Sequence, residues 1–265
     1  MAASLRVLSM GWGRQTWTMA AMMALDEMPR TDFIVHADTT HERAATYEFR
    51  RQWEPWLSEH GLKVVTVKSP QPNVVEQSSV MIPAFTTDPA TGSEGQVRRQ
   101  CTHDWKIAPI RRFIRAELER RGEKIGPGLV ESWQGISLDE FQRMRDSGAS
   151  YITNVYPLVE RKMRLADCIA WLDAHGLPTP PKSSCTFCPY RSLSSWRALK
   201  QEGGSDWAEA VMVDTAIRNK RKGALYVHPR RLPLAQAVSI PEDFGASQST
   251  LFGEENSCDS GHCMT

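Results

Sequence analysis

The sequence predicts an α/β protein built on a doubly wound parallel sheet, followed by a helical, cysteine-containing C-terminal extension. Three observations carry this reading. Short apolar runs of strand length alternate with longer runs of helix length over residues 4–67, the mark of repeated strand–helix–strand crossovers. Turn residues punctuate the junctions. From about Pro178 the pattern breaks: a Pro-rich turn leads into Cys185-Thr186-Phe187-Cys188, more helix, and a polar tail from Pro241.

Taken in order, Ser4 to Met10 reads as a buried strand and Gly11 to Thr16 as a glycine-containing turn. Trp17 to Met28 is apolar and alanine-rich, a helix stopped by Pro29. Phe33 to His36 is a second strand, ending in Ala37-Asp38-Thr39-Thr40. A long helix follows over Ala44 to His60, with a kink expected at Pro55 and a stop at Gly61. Lys63 to Val67 is a third strand. Residues 69–97, rich in Pro, Ser, Thr and Gly, read as a long irregular loop or lid. Arg98 to Arg121 is basic and helical in its second half; Val130 to Gly135 is a strand and Leu165 to Ala174 a helix. The division expected is a nucleotide-binding α/β domain over 1–180 and, over 181–265, the Cys-x-x-Cys loop, helical extension and Cys-bearing tail.

At 265 residues the chain can bury a full core, and its 41% hydrophobic and 24% charged residues are ordinary for a globular protein. A net charge of +1 makes no global demand for nucleic acid or membrane. The N-terminus lacks a basic stretch followed by a long apolar one, and no run approaches the ~18 apolar residues of a spanning helix. The expectation is a cytoplasmic protein with no membrane partner, and a homo-oligomer is compatible with it. Six cysteines in a reducing compartment point to metal ligands or reactive thiols rather than disulfides.

In a doubly wound sheet ligands bind beyond the carboxyl ends of the strands. The segment Ser9-Met10-Gly11-Trp12-Gly13-Arg14-Gln15-Thr16 joins a strand to a helix N-terminus, where unpaired N–H groups and the helix dipole favour an anion. Gly11 and Gly13 allow close backbone approach and Thr16 adds a hydroxyl; the same pattern also occurs in turns that bind nothing. Asp38, at the second strand's carboxyl end, is either a nucleotide- or Mg²⁺-facing carboxylate or a helix-start acid.

Cys185 and Cys188 form a tight thiolate pair suited to one metal ion or one corner of a cluster. Far upstream, Cys101 lies among Arg98, Arg99 and Lys106, cations that favour a thiolate. Cys168 falls on one helical face with Leu165, Ile169 and Leu172 and reads as a core thiol. The tail carries Cys258 and Cys263, and a zinc site made of Cys185, Cys188, Cys258 and Cys263 stands as an alternative. Two basic runs, Arg98 to Arg115 and Arg218 to Arg231, are either solvated helix faces or a groove for a polyanion.

These segments resemble, in order and spacing, the PAPS reductase and adenine nucleotide alpha-hydrolase superfamily. Gly11-Trp12-Gly13-Arg14-Gln15-Thr16 is similar to its PP-loop, with Gln15 where the family carries Asp. Asp38-Thr39-Thr40 with Thr46-Tyr47-Glu48-Phe49, then Gly135-Ile136-Ser137-Leu138-Asp139-Glu140-Phe141-Gln142-Arg143, and His175-Gly176-Leu177-Pro178 match further motifs. Cys101, Cys185 and Cys188 resemble the cluster cysteines of sulfonucleotide reductases, with Gln100 replacing the first of a Cys-Cys pair.

The resemblance implies a [4Fe-4S] cluster on Cys101, Cys185 and Cys188, with Cys258 or Cys263 as a fourth ligand or one iron left open. It implies ATP, or PAPS or APS, with Mg²⁺, bound by Ser9, Gly11 to Thr16, Asp38, Thr39 and Gly135. Arg14, Asp38, Lys106, Arg143 and Cys263 become the candidate catalytic residues. The activity implied is adenylation coupled to sulfur transfer onto tRNA or the DNA backbone (thiolation or phosphorothioation), with a cysteine desulfurase as sulfur source. A sulfonucleotide reductase using a tail thiolate is the alternative. A zinc-stabilised nucleic-acid-binding module is the alternative of another class.

Overall fold

The computed structural model describes residues 3–241. In chain order the elements are β1 (Leu5–Met10), α1 (Arg14–Ala24), β2 (Phe33–Asp38), α2 (Ala44–Glu59), β3 (Val64–Lys68), β4 (Phe85–Thr87) and β5 (Glu94–Gln96). A π-turn (His103–Ile107) then runs into α3 (Ala108–Arg120), followed by β6 (Val130–Gln134), a 3₁₀ turn (Leu138–Arg143), β7 (Ile152–Val155), α4 (Pro157–Glu160) and α5 (Leu165–Ala174). The chain continues as α6 (Leu193–Glu202), α7 (Gly204–Ile217), β8 (Leu225–Tyr226) and α8 (Leu234–Ser239).

Five strands form one sheet in the order β3-β2-β1-β6-β7, every pair parallel. This is the doubly wound sheet the alternation of runs predicts. Strand order reverses between β1 and β6, so the switch point lies between Ser9 and its register partner Gln134. One face is covered by α1, α2 and α5 around Leu8, Met10, Trp17, Met19, Phe49, Leu57, Cys168 and Leu172. The other is covered by α3, whose Ile110, Ile114 and Leu118 meet Leu5, Val7, Val35, Val130 and Ile152.

Several boundaries differ from the sequence reading, each for a physical reason. Helix α1 starts at Arg14 and ends at Ala24, before Pro29: Asp26 takes φ 59° and Glu27 N–H reaches back to Met22 C=O at 2.8 Å, closing the helix locally. Helix α2 runs unbroken through Pro55, which is exposed, so the carbonyl deprived of its partner faces water. Residues 69–97 are not wholly irregular. They contain the β4–β5 hairpin, which pairs with β8 in a three-stranded antiparallel sheet ordered β5-β4-β8.

A second hydrophobic core joins Val74, Val80, Ile82 and Trp105 to Phe187, Trp196, Val213, Ile217, Leu225 and Leu234. The hairpin and the helical extension are thus packed as one body. Cys168 is fully buried in the first core, and burial pushes its thiol up to about 12, so it stays a neutral packing group. Among the described residues no helix is long and apolar enough to cross a membrane.

Candidate functional site

The carboxyl ends of β1, β2 and β6 bring three loops together. At the end of β1 it is Trp12, not a glycine, that takes the left-handed conformation (φ 57°), while Gly13 is extended at φ −86°. A bulky residue there is strained and must be held by its surroundings. The Trp12 ring is fully buried against Trp17, His36 and Phe49. Only its main chain is left to a ligand. Gly13 is closely covered: a Cβ there would sit 3.0 Å from Ser183 Oγ.

No side chain caps the N-terminus of α1 and no acid occupies its first turn, so its N–H groups keep their capacity for an anion. Arg14 stands at its first position, and its buried Nε has no partner among the described residues. Gln15 Nε2 donates to Glu140 Oε2 at 3.1 Å, and Arg143 Nη1 donates to the same oxygen at 2.7 Å. Gly135 lies under this turn: a Cβ would meet Thr16 Cγ2 at 2.4 Å. In the sequence Glu140 stands only as one member of the Gly135 to Arg143 motif. In the fold it is a buried hub linking the β1 and β6 loops.

Burial pushes the Glu140 carboxyl up to about 7; the nearby Arg143 charge opposes this, and Asp139 adds to it. A folded-state value above the unfolded one means that the stability it contributes is present at low pH and is lost as pH rises through 7. Glu140→Gln should therefore gain on wild type by ~2–3 kcal/mol between pH 5 and pH 8 in urea unfolding. A pH-independent difference would exclude an acid held neutral by burial.

At the end of β2, Asp38 is spent inside the protein. Its Oδ1 accepts from Thr40 N–H and Tyr47 Oη, both at 2.8 Å, and Oδ2 faces Lys68 Nζ at 3.2 Å. Burial acts to raise its pKa, but these donors outweigh burial and lower it. Asp38 thereby stabilises the turn in which Thr40 takes φ 63°. Thr39 Oγ1 donates to Glu42 Oε1 at 3.2 Å and lies 3.8 Å from Cys185 Sγ. Glu42, which the sequence reading passes over, is buried and faces the buried Lys106 Nζ at 3.5 Å.

The Cys-x-x-Cys loop is pinned to this turn. Glu42 and Cys185 form an antiparallel bridge, and Thr186 N–H donates to His41 C=O at 2.9 Å. Glu209 of α7 clamps both, accepting from Thr186 Oγ1 and bonding His41 Nδ1, each at 2.7 Å. Cys101, Cys185 and Cys188 line one cavity with Thr39, Ile82, Arg99, Trp105, Lys106, Phe187 and Tyr190. Three thiols, an apolar wall and two cations are a donor set that suits an iron–sulfur cluster: thiolate ligands, exclusion of water, compensation of negative charge. Among the described residues no group of three or more His, Cys, Asp and Glu side chains is gathered as for a metal ion. Cys258 and Cys263 lie outside the described residues.

The π-turn brings Trp105 and Lys106 inward, a wide turn of the kind that marks functional positions. The segment Lys182-Ser183-Ser184-Cys185 joins the two halves of the site: Ser183 lies over Gly13, and two residues on, at most about 7 Å of chain, Cys185 enters the cysteine cavity. The basic runs divide. Arg218 pairs with Asp214, Lys220 caps the carbonyls of Val74, Val75 and Gln77, and Arg230 and Arg231 bind backbone carbonyls, so these four are structural. Lys106 and Arg111 of the first run line a cleft at the sheet edge.

No protein-family model matches this sequence, and no curated protein matches it. Among solved structures the chain is similar to the phosphoadenylyl-sulfate (PAPS) reductase of Candida auris, determined as a phosphate complex. That likeness has a TM-score of 0.41 and 13% sequence identity, and covers 66% of this chain and 74% of that one.

Proposed function

We propose that the protein is an adenine-nucleotide enzyme that activates a substrate by adenylation for sulfur transfer onto nucleic acid, with an iron–sulfur cluster held by Cys101, Cys185 and Cys188. The observation that carries this reading is the junction at Ser183 and Cys185, which sets a three-cysteine cavity directly beside an uncapped helix N-terminus at the carboxyl end of a parallel sheet. The α1 N–H groups and Arg14 receive the phosphates of ATP and hold the α-phosphate for attack as pyrophosphate leaves. Arg143, positioned by Glu140, faces the charge that develops. Lys106 places a cation beside the cysteine cavity, where it offsets negative charge. When bound, the cluster supplies an iron-held sulfur donor, and Mg²⁺ neutralises the phosphates. A cysteine desulfurase is the sulfur source.

Anaerobically purified protein is expected to show the broad visible absorbance of thiolate-bound iron and to release pyrophosphate from ATP. Cys185→Ser should lose the absorbance. Sulfite release from PAPS without pyrophosphate from ATP would replace this reading by sulfonucleotide reduction, which needs a reacting tail thiol. A colourless protein carrying one zinc ion and inert to both nucleotides would replace it by a nucleic-acid-binding module.

A further inference from the structure

On the α3 face of the sheet, the inward-facing side chains change character towards the carboxyl edge. Leu5 and Val7 of β1 give way to Ser9; Val130 of β6 gives way to Ser132 and Gln134; Ile152 of β7 gives way to Asn154. Ser9, Ser132 and Gln134 are all more than nine-tenths buried. Three buried polar side chains on an otherwise apolar face cost stability that a hydrophobic set would not. They form the floor of a half-open cleft at the carboxyl edge of the sheet. Its apolar walls are Ile107, Ile110, Ile114 and Ile152.

The hydrogen bonds on the floor leave a defined remainder. Gln134 Nε2 donates to Ser132 Oγ at 2.9 Å and to Ser9 Oγ at 3.4 Å, which uses both amide hydrogens. The two hydroxyl oxygens lie 3.4 Å apart, so one O–H is taken up between them and the other is left to donate. Gln134 Oε1 carries no hydrogen bond among the described residues. The floor thus offers one donor beside one acceptor, with isoleucines around it. At the mouth stand Lys106, Arg111, Arg145 and Asp146. Lys106 also pairs with Glu42, and Arg111 and Arg145 each hold backbone carbonyls through one guanidinium nitrogen, which leaves their other N–H groups for an anion.

We propose that this cleft is a nucleobase pocket with a phosphate-binding mouth, distinct from the α1 loop. Paired donor and acceptor match the amide or amidine edge of a base, the isoleucines cover its faces, and the cations take the attached phosphate. Lys106 lines both this cleft and the cysteine cavity, so a base seated here lies next to the thiols. On the sulfur-transfer reading, it is the acceptor's base.

The test is binding, independent of turnover. Hydrogen–deuterium exchange of the wild-type chain is measured with each of AMP, CMP, GMP and UMP, and with a single-stranded RNA or DNA ten-mer. Protection of 106–114 and 145–154 is expected; protection by monomers assigns the base to a free nucleotide, and protection by the ten-mers alone assigns it to a polynucleotide. Gln134→Leu, which removes the organising amide, should weaken that ligand about tenfold. Protection confined to 11–16, or none with any probe, overturns the proposal. Absence of pyrophosphate release with the cleft protected would sink the adenylation reading and leave this one standing.

Discussion

Gly135→Ala is expected to remove nucleotide binding and to lower stability by about 1–3 kcal/mol, the usual cost of overpacking. The added methyl would lie 2.4 Å from Thr16 Cγ2, 3.0 Å from Thr16 N and 3.3 Å from its Cα. The methyl of Thr16 can rotate away, but its backbone cannot: it belongs to the first turn of α1, packed between β1 and α5. Relief therefore requires the helix N-terminus to move off the sheet edge, together with Gln15 and its bond to Glu140. Thermal unfolding and nucleotide titration check both arms. An unchanged midpoint with unchanged affinity would mean that the loop does not depend on this close approach.

Asp214→Ala is expected to cost more, about 3–5 kcal/mol, without touching the site. Its carboxylate is 1% exposed and satisfies three donors: Val227 N–H at 2.9 Å, Leu234 N–H at 3.0 Å, and Arg218 Nη2. Burial raises its pKa despite these partners, so its worth lies in satisfying donors that would otherwise be buried unpaired, more than in charge. It ties α7 to β8 and α8, and through β8 to the β4 hairpin. Asp214→Asn keeps an acceptor for one N–H and should lose only part of that stability. Urea unfolding of both variants gives the comparison, and equal losses would show that charge, not acceptor count, is what matters.

What was legible in the sequence follows from how each feature is encoded. Four of the five parallel strands and their helices are written in runs of apolar residues, and Leu165–Ala174 is found where its periodicity puts it. The four-residue edge strand Ile152–Val155, with polar Thr153 and Asn154, escapes the sequence reading. The Cys185 and Cys188 pair is legible because spacing and a loop context are local properties, whereas Cys101, far upstream, is joined to it only by the family resemblance. The β4–β5 hairpin was missed because Phe85–Thr87 and Glu94–Gln96 are too short and polar to register, and are stabilised by pairing with the distant β8. Trp12 was read as a loop residue, but its ring is drawn into the core by Trp17 and Phe49, which sequence proximity does not announce. Glu42, Glu140 and Glu209 matter through partners far along the chain or across loops. The one signal that was available is the period-two placement of Ser132 and Gln134 on a strand whose neighbouring inward positions are apolar.

The short path from Ser183 to Cys185 makes the helix end and the cysteine cavity two stations on one piece of backbone. An occupant that fixed Cys185 would constrain how Ser183 covers Gly13, and an anion that displaced Ser183 would act on Cys185 through the one residue between them. Thermodynamic reciprocity then applies: the factor by which an occupied cavity changes anion affinity equals the factor by which the anion changes retention of the occupant. Loss of the cavity's contents would therefore register as a changed nucleotide affinity, and a nucleotide in the cell would set how firmly those contents are kept.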